Sequence, residues 1–176
     1  MYQRIKFVAT LALLPLVVYL VYYPYNSIQN TLDFAFFEPV RWVQNGWAEQ
    51  GVKIAFGTRM TYAVAWLLPV FAGLLSVVCA VRILWLLRKG EVFSERIAWL
   101  LCALGWGTVL SNVLHLIAAA FTPMMISWHN TAGPEGVRFW YNSSHVGMIF
   151  YGLGFVLIGW VIREGQRLAQ ENDGFL

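Results

Sequence analysis

Four long apolar segments constrain this chain more than any other feature of its sequence. They cover residues 5–23, 60–87, 97–121 and 144–162. About 20 apolar residues in a row are enough for a helix to cross the hydrocarbon core of a bilayer. The sequence therefore predicts an all-α membrane protein, a single domain of four transmembrane helices.

The composition supports this reading. Hydrophobic residues make up 59% of the chain and charged residues 12%, whereas a soluble domain carries about 25% charged residues. The basic residues are scattered singly and in pairs beside apolar segments, so we expect no direct binding of nucleic acid. Cys79 and Cys102 lie inside apolar segments without a C-x-x-C spacing, which indicates buried, unreactive thiols.

Prolines mark the expected ends of two helices. We expect helix 1 to end in an aromatic belt at Tyr23, before Pro24, and helix 3 to stop at Pro123. The connections between the spans then divide into two outer loops, 24–59 and 122–143, an inner loop, 88–96, and an inner tail, 163–176.

Two of these connections have local structure of their own. In the first outer loop Val40, Val43 and Trp47 recur at helical spacing, which predicts a short helix on the outer membrane surface. In the inner loop Ser94 is a good N-cap residue and Glu95 suits the first helical turn. Helices 2 and 3 are therefore expected to form an antiparallel hairpin.

The distribution of lysine and arginine predicts the orientation in the membrane. With the N-terminus inside, eight basic residues lie on the inner side and four on the outer side. Basic residues near the spans favour the cytoplasmic side. We therefore expect a multi-pass membrane protein with both termini in the cytoplasm. The inner set is Arg4, Lys6, Arg82, Arg88, Lys89, Arg96, Arg163 and Arg167, and the outer set is Arg41, Lys53, Arg59 and Arg138.

Two short motifs carry a family resemblance. Residues 90–94 (GEVFS) and 161–168 (VIREGQRL) resemble the G-x-x-F-[ST] turn and the C-terminal amphipathic stretch of an uncharacterised family of bacterial four-helix membrane proteins. The resemblance covers about residues 84–173. It implies a four-span inner-membrane fold and a link to a small helix-turn-helix regulator, and it assigns no catalytic residue.

Helix 3 carries a polar stripe in the outer half of the membrane. Thr108, Ser111, Asn112 and His115 follow an i, i+3, i+4, i+7 pattern, so they share one helix face. Exposing an amide and an imidazole to lipid is costly, so we expect this face to contact other helices. We expect His115 to form a hydrogen bond with Asn112 or His145, while the alternative reading is a polar binding site.

The three histidines, His115, His129 and His145, all lie in the outer half or the outer loop. Together with Met148 they leave open a copper site, and two imidazoles leave open a haem site. No H-x-x-x-H or C-x-x-C-H spacing occurs, so we predict no cofactor, and haem or copper remains the alternative.

No reactive constellation stands out in the sequence. Ser143 and Ser144 precede His145 but lack a nearby orienting carboxylate, and we predict that the protein is not an enzyme. The glycines of helices 3 and 4 are expected to allow close helix packing. We expect a membrane protein that acts through a protein partner or as a homo-oligomer, in a regulatory, sensing or assembly role. A small-molecule, haem or metal-binding bundle that uses the outer-half histidines is the alternative.

Overall fold

Four long helices make up the computed structural model, which describes residues 2–37, 54–129 and 143–173. Each is long and apolar enough to cross a membrane, and no strand occurs in these ranges. The predicted all-α fold of four transmembrane helices is confirmed. The helices are α1 (Tyr2–Leu32, continued by a π-helical turn, Asp33–Phe37), α2 (Phe56–Lys89), α3 (Glu95–His129) and α4 (Ser143–Asp173).

Two helices extend past the prolines that were expected to end them. Helix α1 continues through Pro24 to Leu32, and α3 continues through Pro123 to His129. The predicted ends at Tyr23 and before Pro123 are therefore wrong. A proline removes only one helical hydrogen bond, whereas unwinding at membrane depth would leave several backbone groups without partners.

The ranges 24–59 and 122–143, predicted as outer loops, are therefore partly helical, at residues 24–37, 56–59 and 122–129. The proposed surface helix around Val40, Val43 and Trp47 lies outside the described residues.

A tight turn joins α2 to α3, as the sequence predicted. Gly90 adopts a left-handed backbone with φ 94°, and its N–H donates to the carbonyl of Leu87 at 3.1 Å. On the other side of the turn, the backbone N–H of Ile97 donates to the Ser94 hydroxyl at 3.3 Å. A glycine C-cap followed by a serine N-cap thus reverses the chain and sets α2 and α3 antiparallel.

The helices pack in a row that follows their order in the chain. Helix α1 contacts α2, α2 contacts α3 and α3 contacts α4, whereas no described residues of α1 and α4 have Cα atoms within 8 Å of each other. The four-helix bundle is therefore open on one side, and a cleft separates α1 from α4.

Glycines set the closest approach, which lies between α3 and α4. A methyl group added to Gly152 would lie 2.8 Å from the Gly105 carbonyl oxygen, and one added to Gly159 would lie 2.8 Å from the Ala98 carbonyl oxygen. In contrast, a methyl group added to Gly154 would meet no atom within 4 Å. Only some of the helix 3 and helix 4 glycines therefore serve the packing that the sequence suggested.

Candidate functional site

The polar stripe of α3 faces the other helices. The Ser111 hydroxyl donates to the Pro69 carbonyl of α2 at 2.8 Å. The Thr108 hydroxyl lies 3.3 Å from the Ser76 hydroxyl of α2 and 2.9 Å from the Leu104 carbonyl one turn earlier. These contacts tie α3 to α2 and satisfy hydroxyl groups that lipid could not satisfy.

Asn112 connects α3 to α4. Its side-chain N–H donates to the Thr108 carbonyl at 2.9 Å, which turns the amide oxygen toward α4. That oxygen lies 2.9 Å from Nδ1 of His145. Because an amide oxygen only accepts hydrogen bonds, Nδ1 of His145 carries the proton in this arrangement.

His115 does not form the hydrogen bond that the sequence suggested. Its ring stacks on His145, with centroids 5.0 Å apart and planes 29° apart. It also packs edge-to-face with Trp66, with ring centroids 5.9 Å apart. Its Nδ1 atom is buried without a hydrogen-bond partner in the described structure. Asn112 instead bonds His145 and Thr108, and His145 presents its ring face to His115.

Trp66, which the sequence analysis did not single out, supports the histidine pair from α2. Its indole N–H donates to the Thr122 hydroxyl at 3.2 Å, and that hydroxyl lies 2.6 Å from the Ala118 carbonyl. The indole is thereby fixed with its ring beside His115. Only the folded arrangement of α2 and α3 brings these residues together, because Trp66 and Thr122 lie 56 positions apart in the chain.

The polar stripe of α3 and His145 of α4 line one cavity of about 500 Å³ between α1 and α4. Its floor contains all four residues of the predicted polar stripe, together with Ser76 and Gly73 of α2. Leu16, Tyr19 and Tyr23 form the α1 wall, and His145, Met148 and Phe155 form the α4 wall. The structure thus unites the predicted polar face with His145 and Met148.

The α1 wall and Ser76 were missed in the sequence. Tyr19 and Tyr23 stack on each other with centroids 5.2 Å apart. Tyrosines near the end of a span read as an ordinary interfacial belt, so their place in a cavity could not be inferred. Ser76 was detectable as a lone hydroxyl in an apolar span.

The arrangement of the two histidine rings can be compared with the one that a haem would need. Two axial imidazoles of a haem point nitrogens at each other across the iron, whereas the rings of His115 and His145 stack face to face. This arrangement does not fit a haem held between them. Within the described part of the chain, no three His, Cys, Asp or Glu side chains come together as a metal site. The His129 side chain lies outside that part.

Comparison with known protein families matches residues 35–174 to the family described as "Protein of unknown function (DUF2975)". The match covers most of the chain, including α2, α3 and nearly all of α4, and the chain belongs to this family. This confirms the resemblance to an uncharacterised family. No curated protein and no solved structure matches the chain significantly. The α1 wall of the cleft lies before the matched region.

Proposed function

We propose that this DUF2975 protein is a non-enzymatic, multi-pass membrane protein that binds a transmembrane helix of a protein partner in the cleft between α1 and α4. The observation that carries the proposal is the open side of the bundle, where a polar floor faces the gap between two helices that do not touch. Such a binding protein would serve a regulatory, sensing or assembly role.

The polar floor supports an occupant other than lipid tails. Ser76, Thr108, His115 and His145 are only partly buried, and polar groups at membrane depth are costly unless something covers them. A partner helix would cover these groups and keep lipid away from the hydrogen bonds that they make within the protein.

Small residues on the α2 side of the floor favour a helix as the occupant. Ser76 and Ala80 both line the cleft and lie four positions apart. A small-xxx-small spacing lets a second helix approach closely in a membrane. The aromatic and apolar walls contributed by Tyr19, Met148 and Phe155 suit the apolar sides of that helix.

The residues of the cleft also support a binding role over a catalytic one. No aspartate or glutamate lines the cleft in the described structure, so neither histidine forms an ion pair with a carboxylate there. The Asn112 oxygen accepts from Nδ1 of His145, and the Asn112 N–H donates to the Thr108 carbonyl. The cleft therefore offers hydrogen-bonding groups and an apolar surface to a bound molecule.

We further propose a bacterial inner-membrane location with both termini in the cytoplasm, supported by the excess of basic residues on that side. The cytoplasmic end of α4 then offers a second contact for the same class of partner. There Arg167 pairs with Glu164 and Glu171 on exposed helical turns. The proposed link to a small helix-turn-helix regulator rests on the family resemblance and would use this extension.

Photo-cross-linking tests the proposed occupant of the cleft. A photoreactive amino acid replaces Phe155, which lines the cleft, or Val64, an exposed α2 residue outside it. In native membranes, the Phe155 position should give a discrete protein adduct and the Val64 position should not. Adducts of equal yield at both positions, or none at Phe155, would contradict the proposal.

A second candidate function is the binding of a small amphipathic molecule. It is favoured by the cavity of about 500 Å³, which lies in the range of small-molecule sites. The same experiment separates the two candidates. An adduct at Phe155 that adds only the mass of a lipid or metabolite would support this candidate and refute a helix.

A further inference from the structure

A second cavity, at the opposite end of the hairpin, has a different chemistry. It measures about 700 Å³, lies between the end of α2 and the start of α3, and is lined by Arg82, Trp85, Arg96 and Trp99, with Glu95 at its edge. It shares no lining residue with the cleft between α1 and α4. Any ligand here is therefore independent of the partner proposed for the cleft, and only its leaflet rests on the proposed orientation.

Two copies of one five-residue sequence pattern line this cavity. Residues 82–86 read RILWL and residues 96–100 read RIAWL. The first copy ends α2 and the second begins α3, so the hairpin brings the copies together in opposite directions. Trp85 lies four residues before the end of α2, and Trp99 lies four residues after the start of α3. Both indoles are therefore about 6 Å along the helix axis from the hairpin turn. Arg82 lies deeper than the two indoles and Arg96 shallower.

The two arginines are not neutralised by the protein. Neither Arg82 nor Arg96 forms a salt bridge within the described residues, whose ion pairs join Arg167 to Glu164 and Glu171. Glu95 is the one carboxylate among the lining residues, so the lining carries a net positive charge. Arg88 and Lys89 add cations nearby, at 5.8 Å and 5.6 Å from the Trp85 ring centroid.

We propose that this cavity, formed by the repeated R-I-x-W-L pattern, binds the headgroup phosphate of an anionic phospholipid in the inner leaflet. Arginine forks bind phosphate oxygens with paired hydrogen bonds. Tryptophans mark the level where headgroups meet hydrocarbon. Leu86 and Leu100 supply an apolar surface beside the charged groups, which suits the start of an acyl chain. Basic pockets between helices on the cytoplasmic side are known to hold anionic headgroups.

Lipid binding to the purified full-length protein in detergent tests the proposal, with native mass spectrometry as the readout. Phosphatidylglycerol should bind at least about tenfold more tightly than phosphatidylcholine of the same acyl chains. Equal affinity for the two lipids in the unmodified protein would overturn the proposal. This comparison needs no variant, so it stands even if a substitution impairs folding.

Paired substitutions locate the site. The double variant Arg82→Gln with Arg96→Gln should reduce phosphatidylglycerol affinity by about tenfold to thirtyfold. The control, Arg4→Gln with Arg163→Gln, removes the same charge from exposed inner positions outside the cavity and should change affinity less than threefold. Equal losses in both double variants would show non-specific attraction and overturn the site.

Two further experiments, a lysine variant and a soluble competitor, identify the chemistry of the ligand. Arg82→Lys with Arg96→Lys keeps the charge but removes the planar forks, and should recover only part of the affinity. Glycerol phosphate, offered as a soluble competitor, should fail to displace the lipid at equal concentration. If it displaces the lipid as effectively as phosphatidylglycerol does, the ligand is a soluble phosphate and the lipid assignment is wrong.

Discussion

Nδ1 of His145 lies 2.9 Å from the side-chain oxygen of Asn112, and this contact joins α4 to α3. Asn112 is buried, and His145 belongs to the first turn of α4. The hydrogen bond therefore positions the start of α4 and one wall of the cleft.

Replacing Asn112 by leucine should lower stability. The change leaves the His145 N–H without its acceptor, at a cost of about 1–3 kcal/mol. Thermal unfolding in detergent should show a lower Tm. Val113→Leu, at the neighbouring position on a more exposed face, is the control and should leave Tm almost unchanged. Equal Tm values for Asn112→Leu and the unmodified protein would show that the hydrogen bond contributes nothing.

The same substitution at the two stacked histidines should have opposite effects. His115→Phe keeps an aromatic ring beside His145 and Trp66 and removes the unpaired Nδ1 atom, so Tm should stay the same or rise. His145→Phe leaves the Asn112 oxygen unpaired, so Tm should fall. A Tm lowered equally by both substitutions would refute the assignment of an unpaired His115.

Two glycines of α4 should respond differently to alanine. In Gly152→Ala the new methyl group would lie 2.8 Å from the Gly105 carbonyl oxygen, so α3 and α4 must separate, at about 1–3 kcal/mol. Gly154→Ala meets open space and gains helix propensity, so its stability should be unchanged or raised by up to about 1 kcal/mol. Both values come from thermal unfolding. A larger loss in Gly154→Ala than in Gly152→Ala would contradict the α3–α4 packing.

Membrane orientation is tested with reporter fusions. A reporter joined after Leu176 should be active in the cytoplasm, and one inserted near Gly46, between α1 and α2, should be active outside, because basic residues favour the inner side. The opposite pattern would place the R-I-x-W-L cavity in the outer leaflet and would reverse the assignment of both sites.

The sequence predicted local features well and the arrangement of helices less well. The four spans followed from hydropathy, and the short turn between α2 and α3 with its cap at Ser94 followed from capping preferences. The helices that continue through Pro24 and Pro123 did not, because the penalty for a proline depends on whether the surroundings are water or lipid.

The candidate site was predictable on one helix only. Helical periodicity placed Thr108, Asn112 and His115 on one face, because that spacing is local. The open gap between α1 and α4 was not predictable, since four uniformly apolar helices do not specify their neighbours. The lack of a partner for His115 also depends on which group Asn112 engages, and this was visible only in three dimensions.

The open cleft is tested most directly by asking whether α1 and α4 remain apart in the membrane. Cysteines replace Leu16 and Phe155, on opposite walls of the cleft, in a chain with Cys79→Ser and Cys102→Ser. A disulfide needs Cα atoms within about 7 Å, and no described residues of α1 and α4 approach within 8 Å. Mild oxidation should therefore form no 16–155 disulfide.

A second pair serves as the positive control. Native Cys102, whose sulfur lies 3.8 Å from the Val156 carbonyl oxygen, should form a disulfide with Val156→Cys in the Cys79→Ser background. Mass spectrometry of the digested protein detects either bridge. A control bridge without a 16–155 bridge is the result that we predict. Rapid and complete formation of the 16–155 bridge in native membranes would show that α1 closes on α4 and that no binding cleft exists.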